Sequence, residues 1–264
     1  MKTANTFLIL FTSVLLFGCG GGGGGGSSAC STLKVNGGES CDSGASPVVL
    51  LAMHKGGATS FCTGTAISQT AILTAAHCVA DRPSQIEVAT PQFGRIASSY
   101  SIHPQFRGTL RSFDLAIIKV AEPMPVSPAS LLVSSGAPSP GAELVAYGYG
   151  VDENGRGALD RAEAGETPLK ATYLTFASAT NGYFYEAVTD GKGNTCKGDS
   201  GGPILAKNNQ GQWGIIAVTS FSFAVSETRQ CIPIAPGAVA VVSPTQTDLA
   251  IAFILANAPD AALN

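Results

Sequence analysis

Asn194-Thr195-Cys196-Lys197-Gly198-Asp199-Ser200-Gly201-Gly202-Pro203 decides how the rest of the chain is read. One serine stands among three glycines, with a cysteine and an acid just before it. Glycine accepts positive φ and lets backbone come close to a ligand. Gly198, Gly201 and Gly202 are therefore expected to adopt that conformation and turn consecutive amide N–H groups onto one oxygen. A hydroxyl beside such a nest is a nucleophile beside an oxyanion site. Serine alone is a weak nucleophile and needs a base oriented by a third group. The chain must supply a histidine and an acid, and its three histidines are His54, His77 and His103.

All three precede Ser200, and that order selects among mechanisms. Gly198-Asp199-Ser200-Gly201-Gly202 also fits the Gly-x-Ser-x-Gly elbow of α/β-hydrolases, but that arrangement needs its histidine after the serine. The order acid, histidine, serine could use Asp42 ahead of His54 or His77, but the alternation of strands and helices it requires is missing. The order histidine, acid, serine is met by His77 in Thr74-Ala75-Ala76-His77-Cys78 and Asp114 in Phe113-Asp114-Leu115-Ala116-Ile117-Ile118. With these three motifs in this order, the sequence resembles the trypsin and chymotrypsin family of serine endopeptidases from about Val35 onward.

The resemblance implies an all-β fold of two antiparallel six-stranded β-barrels with a C-terminal α-helix, and an active site in the cleft between the barrels. The residues agree. Short β-forming runs bounded by Gly, Pro and small polar residues fall at 47–51, 61–67, 71–74, 86–89, 96–102 and 115–120. A Pro- and Ser-rich crossing at 123–140 follows. Further runs fall at 143–150, 169–177, 183–188, 203–205, 213–220 and 238–242. An amphipathic helix is expected over 247–256, after Pro244. Residues 35–264 form the protease-like domain, with the first barrel at about 35–125, the second at about 140–243 and the helix at about 246–257.

In the roles the resemblance implies, Ser200 attacks a peptide carbonyl while His77 serves as general base and then general acid. Asp114 orients His77, and the N–H groups of Gly198 and Ser200 hold the oxyanion. Asn194, Thr195 and Gly237 fall on pocket positions, and Ser220-Phe221-Ser222 on the segment that pairs with substrate backbone. Asn194 stands where trypsin has aspartate, so no buried charge awaits a Lys or Arg side chain. A small, polar or modestly apolar side chain is expected there. Ser222 in place of glycine should narrow the pocket mouth, and the loop from Ser222 to Cys231 is longer than usual. Tyr149 replaces the family's Trp in Gly148-Tyr149-Gly150. Lys34-Val35-Asn36-Gly37-Gly38 resembles the activation site, where cleavage after Lys34 frees a Val35 ammonium to pair with Asp199. The resemblance pairs Cys62 with Cys78 and Cys196 with Cys231, leaving Cys30 and Cys41 for each other. His54 and His103 are assigned to surface loops. The short separation of His77 from Asp114 leaves little room for the family's calcium loop, and no histidine spacing suits zinc. Neither metal nor cofactor is expected.

The chain has 264 residues, of which 45% are hydrophobic and 12% charged, with a net charge of −3. This excludes a disordered protein and gives no basic stripe for nucleic acid. Residues 1–18 read as a signal peptide, because the apolar run at 7–17 is too short to span a bilayer. Leu16-Phe17-Gly18-Cys19 resembles a bacterial lipobox, in which Cys19 would be lipidated. Residues 19–34 then form a Gly-rich linker and propeptide. Removing Cys19 from the seven cysteines leaves six, the even number suited to an oxidising compartment. The expectation is a monomeric endopeptidase anchored by lipid in the bacterial cell envelope, periplasmic or surface-facing, or secreted if not lipidated. Its partners are protein or peptide substrates and an activating protease. A disulfide between Cys30 and Cys41 would keep the cleaved enzyme on its anchor. The alternatives are an esterase and a non-catalytic binding lipoprotein on the same scaffold.

Overall fold

The computed structural model describes residues 46–108, 112–133, 136–151, 169–180, 184–189, 195–222 and 239–264. The leader, Cys19, Cys30, Lys34, Val35, Cys41, Asn194, Cys231 and Gly237 lie outside them.

Two closed six-stranded antiparallel barrels make up the molecule. The first contains β1 (Val48–Lys55), β2 (Ala58–Ala66), β3 (Ala71–Thr74), β4 (Gln85–Thr90), β5 (Phe93–Ile102) and β6 (Ala116–Val120). The second contains β7 (Glu143–Gly148), β8 (Lys170–Thr180), β9 (Phe184–Thr189), β10 (Pro203–Lys207), β11 (Trp213–Ser222) and β12 (Val239–Pro244). Going round either barrel, the strands follow the order first, second, third, sixth, fifth, fourth, so one connectivity is used twice. A one-turn helix, α1 (Ala76–Val79), follows β3, and α2 (Asp248–Asn257) follows β12.

Successive strand residues face opposite sides, and here both sides are buried. Val49, Leu51, Met53, Ile72 and Ile118 fill the first barrel. Leu144, Ala146, Ile204 and Ile216 fill the second. Their neighbours Val48, Leu73, Ile117, Val145, Tyr147, Leu205 and Ile215 turn the other way into a third core shared by the barrels. This explains why many strands read as continuous apolar runs rather than alternating ones. The inter-barrel core also receives Phe253 and Ile254 of α2. That helix is not amphipathic as expected: Ala250, Phe253 and Ile254 are buried, yet Leu249 on its outer side is 50% exposed.

Between β4 and β5 the chain turns back through Pro91-Gln92 alone, with Thr90 paired to Phe93. The Pro-rich crossing is laid down as backbone pairing: Leu131 bridges both Ile215 and Leu263. The tail meanwhile reaches the first barrel through Ala262 N–H on the Ile67 carbonyl at 2.9 Å.

Candidate active site

His77 sits in α1, whose first amides have no partner within so short a helix. Asp114 supplies one: its Oδ1 accepts the His77 backbone N–H at 2.8 Å, and its Oδ2 lies 2.7 Å from His77 Nδ1. One bond holds the His77 backbone and the other its ring, leaving Nε2 free of the acid. Asp114 is 2% exposed while the His77 side chain is 37% exposed, so the acid is buried behind a solvent-facing base. Asp114 occupies the apex of a three-residue turn closed by Leu115 N–H on the Phe113 carbonyl at 2.8 Å. Phe113 is held at φ +56, unusual for a residue with a side chain, and its ring stacks on His103 at 4.6 Å.

The second barrel completes this unit. β11 carries a register shift between Thr219 and Phe221. Bulges re-aim side chains, and the Ser220 hydroxyl donates to Asp114 Oδ2 at 2.5 Å. Ser220, read from sequence only as a substrate-pairing residue, is also a third donor to the buried carboxylate.

The serine loop is held through its carbonyls. Cys196 C=O accepts from Asp199 N–H at 2.9 Å, Lys197 C=O from Val151 N–H at 3.0 Å, Asp199 C=O from Gly202 N–H at 2.9 Å, and Ser200 C=O from Thr63 N–H at 2.8 Å. The Gly198 carbonyl accepts from the Thr63 hydroxyl at 2.8 Å. With the Lys197 carbonyl turned to Val151, the N–H of the same peptide, on Gly198, points the opposite way. Among the described residues no acceptor takes the Gly198 or Ser200 N–H. Two such amides beside a serine hydroxyl are the donors an oxyanion site requires. Gly198 has φ +102 and Gly201 φ +80. Gly202 differs from expectation: it is not in the positive-φ region, and its need is closeness, since a Cβ there would stand 2.0 Å from the Tyr147 carbonyl oxygen.

Asp199 turns inward. Its carboxylate accepts Gly150 N–H at 2.8 Å and Cys196 N–H at 2.7 Å. A Cβ on Gly148 or Gly150 would fall within 2.0 to 2.6 Å of that carboxylate, so Gly148-Tyr149-Gly150 wraps it. Tyr149 is 1% exposed, and its hydroxyl donates to the Val48 carbonyl at 3.1 Å. Burial pushes that phenol far above its ordinary pKa.

Cys62 and Cys78 form a disulfide. Cys196 is also disulfide-bonded, to a partner outside the described residues. Cys62, His77 and Cys78 are the group of metal-ligand residue types gathered among the described residues, but the two sulfurs are bonded to each other. Thr195 is buried, Phe221 half-buried, and Ser222 ends β11. Ser200 and His77 are not hydrogen-bonded to each other; His77 Nε2 lies 3.9 Å from Cys78 Sγ. Unliganded sites often leave this last bond to close around substrate.

Neither remaining histidine is in an exposed loop. His54 is on β1, half-exposed, bonded to Thr59 through Nδ1 at 3.0 Å. His103 is 3% exposed, its Nε2 3.3 Å from the Leu249 carbonyl and its Nδ1 accepting Gln105 N–H at 3.2 Å. Burial lowers its pKa. The Ile102-His103-Pro104 string gave no sign of this, because the ring is covered by Phe113 and Phe253 from distant segments.

Acid, histidine and serine loop stand together on this fold, and a family model for trypsin matches residues 35–243. The chain belongs to the trypsin family. It is 27% identical over 180 residues to a trypsin of Saccharopolyspora erythraea, covering 61% of this chain and 75% of that one. It is 27% identical over 233 residues to serine protease Hayan of Drosophila melanogaster, covering 73% of this chain and 36% of that one. With brachyurin of Leptuca pugilator it shares 28% over 162 residues, 54% of this chain and 70% of the other. These trypsin-like relatives are serine proteases at low identity, and the fold is the two-barrel, chymotrypsin-like one.

Proposed function

We propose that this trypsin-family chain is a catalytically active serine endopeptidase. One observation carries the reading: the His77–Asp114–Ser220 unit stands beside a serine loop whose Gly198 and Ser200 N–H groups have no acceptor among the described residues. His77 Nε2 takes the Ser200 proton as Oγ attacks the scissile carbonyl, and the two amides receive the oxyanion. His77 then protonates the leaving amine, and water releases the acyl group by the same steps in reverse order. Asp114 holds the ring throughout and stabilises the imidazolium. Where the family resemblance places the pocket base, the sequence has Asn194 rather than an acid, so cleavage is expected without strong selection for basic residues.

Activation is proposed to follow cleavage after Lys34, with the Val35 ammonium pairing with Asp199. Support comes from the inward carboxylate of Asp199, gripped by Gly150 and Cys196 amides next to the oxyanion loop. Lipidation at Cys19, with Cys30 bonded to Cys41, would leave the active enzyme on the cell envelope. Active domain released into the soluble fraction without reductant would refute that tether.

The deciding experiment labels the precursor and the Lys34-nicked chain with a fluorophosphonate, with Ser200→Ala as control. Labelling of the nicked chain alone supports both the nucleophile and the activation step. Equal labelling keeps the nucleophile and removes the activation step. No labelling of either form favours a binding protein on this scaffold.

A further inference from the structure

We propose that Thr63 is a positioning residue for the oxyanion site, a role that rests on the endopeptidase reading above. Thr63 lies on β2 of the first barrel and is fully buried, yet its bonds run to the second. Its hydroxyl donates to the Gly198 carbonyl at 2.8 Å and accepts Tyr149 N–H at 3.0 Å. Its own N–H donates to the Ser200 carbonyl at 2.8 Å. Its carbonyl in turn accepts the Thr74 hydroxyl at 2.8 Å. A hydroxyl has one proton to give, so donating to Gly198 while accepting from Tyr149 leaves it a single orientation.

The consequence falls on Gly198. Without a Cβ, and at φ +102, this residue has soft torsions on both sides. The peptide before it is pinned by Val151 N–H on the Lys197 carbonyl, and the peptide after it is pinned by the Thr63 hydroxyl on the Gly198 carbonyl. With both planes fixed, the torsions at Gly198 are fixed, and with them the placing of its N–H relative to the Ser200 segment that follows. Removing the hydroxyl leaves the second plane held only from its other edge, by Asp199 N–H on the Cys196 carbonyl, and it leaves the buried Gly198 carbonyl and Tyr149 N–H to find other partners.

The residue before Thr63 adds to the argument. Cys62 is bonded to Cys78, which adjoins His77. Two successive residues of β2 therefore hold the two halves of the machinery: Cys62 secures the helix carrying the base, and Thr63 secures the loop carrying the nucleophile and its oxyanion donors. The spacing between base and oxyanion site is thereby referred to a single peptide unit of one strand.

The test compares Thr63→Val, which keeps shape and removes the hydroxyl, with Thr63→Ser, which restores it. Thr63→Ala serves as a second hydroxyl-free variant should the valine crowd Gly202, whose own Cβ position is 3.2 Å from Thr63 Cγ2. Kinetics are measured on a peptide substrate with whichever form of the wild type, precursor or nicked, labels with fluorophosphonate. The expected result is a loss of about ten- to a hundredfold in kcat for the hydroxyl-free variants, with KM within about threefold of wild type. Thr63→Ser should return kcat to within about threefold. Affinity for a peptide boronic acid, which places a negative oxygen in the site, should fall in parallel with kcat/KM. Turnover of a folded hydroxyl-free variant within about twofold of wild type overturns the role. Failure of serine to rescue, or loss confined to KM, also overturns it, and unfolding of both hydroxyl-free variants assigns Thr63 to stability alone. If neither wild-type form labels, the endopeptidase reading fails and this role fails with it; a labelled wild type with an unaffected Thr63→Val sinks only this role.

Discussion

On the histidine side of the cleft, the bonds that join the site's residues mostly have a side chain at one end or both: Asp114 on His77, Ser220 on Asp114, Cys62 on Cys78. On the serine side the corresponding bonds run mostly from backbone to backbone, through the carbonyls of Cys196, Lys197, Asp199 and Ser200. The two sides therefore respond to different kinds of change. A side-chain unit is broken by altering one functional group at constant shape. A backbone unit depends on functional groups only where a side chain reaches it, as Thr63 and Asp199 do here, and is broken by adding a single carbon.

The largest effect should come from Asp114→Asn. Three donors converge on this carboxylate, from His77 N–H, the His77 ring and the Ser220 hydroxyl. An amide must turn its NH₂ toward at least one of them, so kcat/KM for a peptide substrate should fall about 10⁴-fold in a chain that still folds. A loss of about tenfold or less would break the contrast, because the histidine side would then not depend on its side-chain bonds.

Gly202→Ala probes the other side. Its new Cβ would stand 2.0 Å from the Tyr147 carbonyl oxygen and 2.9 Å from that of Asp199, both backbone atoms with little freedom to yield. Urea unfolding should show a loss of about 3 kcal/mol or more. Gly94, with nothing within 4 Å of its Cβ position, is the control, and Gly94→Ala should stay within about 0.5 kcal/mol. Equal behaviour of the two glycines would remove the claim that close backbone packing builds the serine loop.

The smallest effect sharpens the histidine side further. His103 supports Phe113, the residue before Asp114, and burial lowers its pKa. The unfolded chain takes up this proton near the ordinary histidine value of about 6.5, while the native chain resists it. Below that pH the unfolded state binds more protons, so stability falls as pH drops from about 6.5 through the lowered native value. His103→Phe should remove this part of the slope in denaturant midpoints measured across the range. An unchanged slope would mean that His103 takes up protons alike in both states.

Sequence legibility divides along the same line. The twelve strands could be read because their apolar runs are bounded by turn residues, and His77, Asp114 and Ser200 could be singled out as the proposed triad because each stands in a short local motif. Thr63 could not be read, since its hydroxyl meets partners 86 and 135 positions away and nothing in Cys62-Thr63-Gly64 marks it. The burial of His103 and the bulge that aims Ser220 at Asp114 were hidden for the same reason. The apolar outer side of α2 also departed from the amphipathic pattern expected of a surface helix.

Residue identity and order by themselves pointed to an all-β chain of short antiparallel strands and to the residue types proposed for the site: a serine, a histidine and an acid before it, and glycines around it. The strands follow from local propensity, and the two-barrel arrangement from the family resemblance that those motifs carry. Only the tertiary structure decided which buried groups hold one another. Which hydroxyl meets which carbonyl, and which amides are left over for a ligand, depend on how two barrels with the same connectivity meet across a shared core, and no single stretch of sequence contains both sides of that contact.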